Sequence, residues 1–270
     1  MLKLYIEGRI YMKPDFFFIT MYPTISFNEE EILGRLLHVF ESNEKFTPTH
    51  WGNCETVKIE YNRQEILEKV ISERRVSEVH LYRDKSVNYT GSFQVNWSHR
   101  SFLNFEFHKS IPKKLWSAFI ELSDQIAEIA KPRIGVTQIF WPLSYPWNTE
   151  RERLQMWMEI SSQPIPVRFL PNGPLGLGAR TYLSGHILDM FDKELLLNSP
   201  GVVSELNWGG TCIDLLHNPL ESDMDLLLDS WLSAMKYLEP AQVMALPSFD
   251  EDRMGVSFSP NVAWKDYLTR

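Results

Sequence analysis

Residues 76–107 read VSEVHLYRDKSVNYTGSFQVNWSHRSFLNFEF, and three stretches within them, Val76 to Tyr82, Ser92 to Trp97 and Phe102 to Phe107, alternate or run apolar and aromatic between polar breaks. A two-residue period with one face apolar and the other polar is the pattern of an antiparallel sheet buried on one side, so this region predicts a three-stranded meander. Upstream, Leu2 to Tyr11 and Asp15 to Tyr22 predict a strand pair joined at Lys13-Pro14, since proline presets a turn and cannot donate to a ladder. Between these strands the period changes to that of a helix. Asn28 with Glu31, and Asn62 with Glu65, carry the capping-box spacing, each followed by an apolar stripe: Ile32, Leu33, Leu36, Leu37 and Phe40 in the first, Ile66, Leu67, Val70 and Ile71 in the second.

Beyond the meander, Leu115 to Ile129 predicts a longer helix stopped by Pro132, and Gly135 to Trp141 a strand. Pro142 to Asn148 is a soft boundary between an N-terminal half, residues 1–141, and a C-terminal half, residues 149–270, which one compact domain would also accommodate. Thr149 with Glu152 opens a helix through Ile160. A strand over Leu177–Leu183 and a helix over Ser184–Leu196 follow, then strands at Val202–Leu206 and Thr211–Leu216 around Gly209-Gly210, and a helix from about Ser222 to Tyr237. Consecutive strands with separated helices, rather than strict alternation, predict an α+β fold with a largely antiparallel sheet, and two similar halves are compatible with it.

The chain has 270 residues, 44% of them hydrophobic, enough for a sizeable core. The apolar run Phe16 to Tyr22 is far shorter than the roughly 20 residues needed to cross a bilayer, and the N-terminus lacks a signal-peptide pattern, so a cytoplasmic protein without membrane contact is expected. Cys54 and Cys212 lie far apart and form no metal or redox motif, which predicts two reduced thiols. The formal charge is −8. That balance opposes direct nucleic-acid binding, whose affinity comes largely from cationic side chains displacing counterions, and it suits a basic partner.

The charge is also uneven. Residues 221–252 hold eight acids and one lysine: Glu221, Asp223, Asp225, Asp229, Glu239, Asp250, Glu251 and Asp252 against Lys236. Carboxylates at a helix start need no purpose beyond the dipole, yet Asp225 and Asp229, four apart, share a face and repel by roughly 0.2–0.5 kcal/mol. That pair points to a cation or cationic partner, and Glu221, Asp223, Asp225, Asp229, Asp250, Glu251 and Asp252 are the expected partner-binding set. Of nine tryptophans most read as core, while Trp51, Trp141, Trp147 and Trp208 sit beside turn residues where a ring can anchor an interface, and Trp147 and Trp208 join the partner-binding set.

No catalytic constellation emerges. The seven histidines show no metal-ligand spacing, although His80, His99 and His108 could meet across strands. No G-x-S-x-G run exists, and Ser184 reads as a helix entry. The run Gly173 to Gly178 lacks the features of a phosphate loop, and turn geometry suffices to explain its glycines. No cofactor is expected.

The segment GLGARTYLSG, residues 176–185, followed by LNWGGTCIDLL, residues 206–216, and Asn218-Pro219 resembles the immunity protein 52 family of bacterial polymorphic toxin systems. The resemblance spans about residues 175–246. It implies an α+β immunity protein that neutralises a cognate toxin, often a nuclease with a restriction-endonuclease-like domain delivered by a type VI secretion system. Arg180, Tyr182, Trp208, Gly209, Gly210 and Asp214 fall on its recurring positions. Their plainer reading is structural, with the glycines forming a hairpin turn and Arg180 pairing with Asp214 across strands. Two other classes stand beside this one: a metal-dependent hydrolase using the 221–229 and 250–252 carboxylates, and an adaptor or chaperone that loads a toxin into its secretion machinery.

Overall fold

The computed structural model describes residues 4–6, 9–11, 14, 16–98, 101–108, 111–141, 149–162, 176–217, 223–250 and 255–264. The protein is α+β. Its centre is a ten-stranded sheet in which every neighbouring pair is antiparallel. In chain order the strands are β1 (Leu4–Ile6), β2 (Arg9–Tyr11), β3 (Phe16–Tyr22), β4 (His50–Gly52), β5 (Ile59–Glu60), β6 (Glu78–Arg83), β7 (Tyr89–Gln94), β8 (Leu103–His108), β9 (Ile134–Phe140), β10 (Arg180–Leu183), β11 (Val202–Glu205), β12 (Thr211–Asp214), β13 (Leu246–Asp250) and β14 (Gly255–Ser259). The helices are α1 (Glu30–Glu41), α2 (Arg63–Leu67, continued by a π turn over Glu68–Ser72), α3 (Trp116–Ala130), α4 (Glu150–Ser162), α5 (Gly185–Asp189), α6 (Lys193–Leu197) and α7 (Met224–Leu238).

The large sheet runs β11-β12-β10-β9-β3-β8-β7-β6-β4-β5. Its ladder crosses the boundary read at 142–148, because β10 pairs with β9 from Arg180↔Thr137 to Leu183↔Ile134. β8 shows the one-sided pattern plainly: Leu103, Phe105 and Phe107 are buried and Glu106 and His108 exposed. On the buried face α1 and α3 pack, with Phe40 against Phe105 (centroids 4.6 Å apart) and Phe119 edge-on to Phe17 and Phe107 (5.6 and 5.2 Å). All seven residues of β9 are buried, as expected of a strand near the sheet's middle.

Local signals succeed and fail for identifiable reasons. Asn62 caps α2 by accepting from the Glu65 amide (3.1 Å), and Thr149 and Glu152 form a reciprocal capping box (3.2 and 3.1 Å). The box at Asn28 does not form. α1 starts one residue later, with Glu29 at the cap position, and Asn28 instead donates to Asn96 across the fold (3.2 Å). The stretch read as one strand over Leu2–Tyr11 is a hairpin, β1 paired with β2, and it does not pair with β3. Both edges of β3 are taken by β8 and β9, so a third partner has nowhere to bind. The middle meander strand begins at Tyr89 rather than Ser92, because Gly91 lies inside it opposite Phe105, where a Cβ would sit 2.0 Å from the ring. The helix read over 184–196 is two short helices, α5 and α6, with Asp192 capping the second.

Among the described residues no helix is long and apolar enough to cross a membrane. The thiols differ. Cys54 is exposed, with its pKa drawn down by hydrogen bonds from Thr56, while burial and then the charge of Asp214 push Cys212 up to about 12. One thiol is therefore expected to react with a disulfide reagent in the native protein and two after denaturation; rapid reaction of both in buffer would contradict this placement.

Candidate functional site

The C-terminal half of the sheet carries a charged cluster whose parts come from three elements. Arg180 on β10 stands opposite Asp214 on β12 in the ladder, and its guanidinium donates to both oxygens of that carboxylate, Nε to Oδ1 at 2.6 Å and Nη2 to Oδ2 at 2.7 Å. Nη1 reaches Asp124 of α3 at 2.7 and 2.8 Å. The Tyr182 hydroxyl also donates to Asp124 (2.6 Å). With that proton committed, Ser123 on the buried face of α3 donates to Tyr182 (3.0 Å) and in turn meets Thr137 of β9. Burial of the phenol, and then the charge of Asp124, pushes the Tyr182 pKa well above its ordinary value, so the hydroxyl keeps its proton. Burial acts against the Arg180 cation, but the Asp214 carboxylate outweighs it, and the net shift is upward.

This cluster floors a cleft of about 310 Å³ whose far wall is the β11–β12 hairpin, with Ser204, Asn207 and Trp208. The register continues past the strands to Leu206, whose amide donates to Gly210 (2.7 Å), while Gly209 takes a positive φ of 91° and donates to Leu206 (2.9 Å). A three-residue loop closing on a left-handed glycine is a favoured hairpin geometry, which explains Gly209. Gly210 serves differently: a Cβ there would sit 2.2 Å from the Trp208 ring, which lies across it. Trp208 is half-buried over the cleft. Asp124, Glu128 and Asp214 against Arg180 leave the cleft with an acidic excess.

The second charged feature is α7. Asp223 caps it, accepting from the amides of Asp225 (2.8 Å) and Leu226 (3.4 Å), an interaction whose loss costs about 1 kcal/mol. Asp225 and Asp229 do share a face, and the cation they meet is the chain's own Arg151 from α4, which donates to Asp225 (Nε, 2.8 Å) and to Asp229 (Nη1, 3.1 Å). All three side chains remain substantially exposed. Sequence reasoning missed Arg151 because it lies 74 and 78 residues away, with nothing local to mark the pairing. Asp250 ends β13, in a separate two-stranded sheet with β14. Glu221, Glu251, Asp252 and Trp147 lie outside the described residues.

The remaining candidates fall into place as structure. His80 lies on β6 opposite Ser92 and His108 on β8 opposite Phe16, so those two do not meet, and His99 lies outside the described residues. Ser184 precedes α5 as read, with its hydroxyl donating to the Pro132 carbonyl (2.8 Å). Gly178 is explained by close packing rather than by a turn, since a Cβ would meet the Val136 side chain at 2.1 Å. Trp51, Trp141, Trp231 and Trp264 are buried, the last two donating to the carbonyls of Leu177 (3.0 Å) and Val243 (2.9 Å). Among the described residues no group of three or more His, Cys, Asp or Glu is placed to hold a metal.

Over nearly its whole length the chain shares its fold with the Pseudomonas aeruginosa T6SS protein PA0821. The superposition covers 98% of this chain and 84% of that one, with a TM-score of 0.56 and 12% sequence identity. No family model matches the sequence, and no curated protein matches it. At that identity the likeness is one of fold, and the Arg180–Asp214 pair and the Gly209 turn find their reasons within this chain.

Proposed function

We propose that this protein is an immunity protein: it binds a cognate secreted toxin, a nuclease effector, in the cytoplasm and neutralises it. The observation that carries this reading is the fold shared along 98% of the chain with a T6SS protein. The resemblance read over about residues 175–246 suggests the same role, but no family model matches the sequence, so the T6SS fold likeness carries the reading. Neutralisation requires only a tight interface over the toxin's cleft or assembly surface, and a nuclease's basic substrate groove is complementary to an acidic cover.

The acidic surface favours binding over metal chemistry at α7, where the Arg151 guanidinium already lies between Asp225 and Asp229. Exposed charges of this kind act mainly on the rate of encounter. Replacing Asp225 and Asp229 with Asn is expected to lower the on-rate for a basic toxin several-fold at low salt, and Arg151→Gln to raise it, because it uncovers two carboxylates; the difference should shrink as the Debye length falls from about 30 Å at 0.01 M to about 8 Å at 0.15 M. Stopped-flow kinetics across a salt series reads both. Equal rates for all three proteins would make this helix ordinary solvated surface.

The function itself is tested by co-expression with the toxin encoded beside it. Growth restored by the wild-type chain is the expected result, and continued killing at matched expression would defeat the reading.

A further inference from the structure

The large sheet ends unevenly. At one side its last strand, β5, is two residues long; at the other it is β11, Val202–Glu205, which among the described residues pairs with β12 alone. The Leu206 amide donates to Gly210, and hydrogen-bonded pairs alternate along an antiparallel ladder. Leu206, Ser204 and Val202 therefore spend their backbone groups on β12, and the N–H and C=O of Val203 and Glu205 point outward from the sheet. No proline or lysine interrupts β11, the usual protections of an open edge.

This edge is flanked by a cleft on each face. On one side Ser204 borders the acidic cleft with Asp124, Glu128 and Trp208. On the other, Thr211 and Glu205, the latter paired with Lys193 of α6 (2.8 Å), border a larger cleft of about 600 Å³ that Asp189 also lines and whose apolar wall is Leu188, Phe191, Leu196 and Leu197, the last 43% exposed. A strand added to β11 would send successive side chains to opposite faces of the sheet. One set would meet carboxylates beside an indole ring, which recognises Lys or Arg by charge and cation–π attraction; the other would meet the apolar wall of leucines and Phe191. We infer that β11 is a strand-addition site for an extended segment of a partner protein in which basic and apolar residues alternate. Main-chain hydrogen bonds supply the attachment and the two clefts the selection.

A second copy of this chain does not fit the description. β11 holds no basic residue, and pairing two of these edges would bring together the acidic clefts of two chains each carrying −8. That the occupant belongs to a toxin rests on the immunity reading, whereas the surface can be probed without one.

The test titrates the full ¹⁵N-labelled chain with a blocked octapeptide of alternating Lys and Val, and in parallel with its Glu/Val counterpart. The Val203 and Glu205 amides and the Trp208 indole should shift with the first peptide and not with the second. Val203→Pro, which removes an outward N–H and leaves the β12 ladder intact, should weaken the peptide by about fivefold. Glu128→Lys, on the exposed face of α3, should weaken it comparably at an unchanged melting temperature, so the prediction survives if the proline variant misfolds. Resonances that stay in place to millimolar peptide, an equal response to the Glu/Val peptide, or full affinity in both variants would overturn the inference. A chain that binds the peptide but fails to protect cells would defeat the immunity reading alone; protection without a response at the edge would defeat this inference alone.

Discussion

Arg180→Met is expected to lower the midpoint of thermal unfolding by on the order of 10 °C, the largest single effect we foresee from a charged residue. The substitution removes the cation between Asp214, whose side chain is 13% exposed, and Asp124, at 49%. Truncating one partner of a buried ion pair costs about 3–5 kcal/mol, chiefly because the other charge is left in a poorly solvated place. That penalty applies to Asp214. The Asp124 arm is open to water and adds no more than about 1 kcal/mol, as surface pairs do. Replacing both partners, Arg180→Met with Asp214→Leu, should recover most of the loss, since an apolar pair of similar volume can equal a buried salt bridge. Thermal melts of the two variants decide the matter. A single variant as stable as wild type would mean that the cluster is not a structural tie.

Trp231→Ala is expected to cost about 3–5 kcal/mol, the range for emptying a large aromatic site in a core. The ring is fully buried on α7, meets Trp157 edge-on at 5.1 Å, and donates its N–H to the Leu177 carbonyl. It therefore ties the acidic helix both to α4 and to the segment entering β10. Loosening α7 would also displace Asp225 and Asp229 from Arg151 and so uncover the two carboxylates, so the variant should lose stability while its on-rate for a basic partner at low salt rises, as for Arg151→Gln. Denaturant melts and binding kinetics on the same protein test the coupling. Trp231→Phe should sit between the two, with the orphaned carbonyl contributing about 1–3 kcal/mol.

The two clusters show how much of this molecule is readable before folding. The α+β class, the meander and the 202–216 hairpin follow from a two-residue apolar period and from glycines, which are local signals. The Arg180–Asp214 pair was suggested by opposite charges on two strand readings, but its register was not legible, because the 207–209 turn fixes β11 against β12 while Arg180 lies on β10. Asp124 was not legible either, although Ser123 at a core position of α3, between Phe119 and Ile126, marks a buried hydroxyl in need of partners. Arg151 left no trace at all. The Asn28 signal failed for the converse reason: a tertiary partner, Asn96, took the side chain that local spacing had assigned to the helix. The first strand was misplaced because pairing partners in a sheet are a global choice, and β8 and β9 already fill both sides of β3.

The central claim, that this chain neutralises a toxin by binding it, is tested most directly by assaying the neighbouring toxin's nuclease activity as the purified full-length protein is added. Loss of activity that saturates at one chain per toxin is the result expected of an immunity protein. Tight binding with activity retained would contradict it and make the chain a carrier instead.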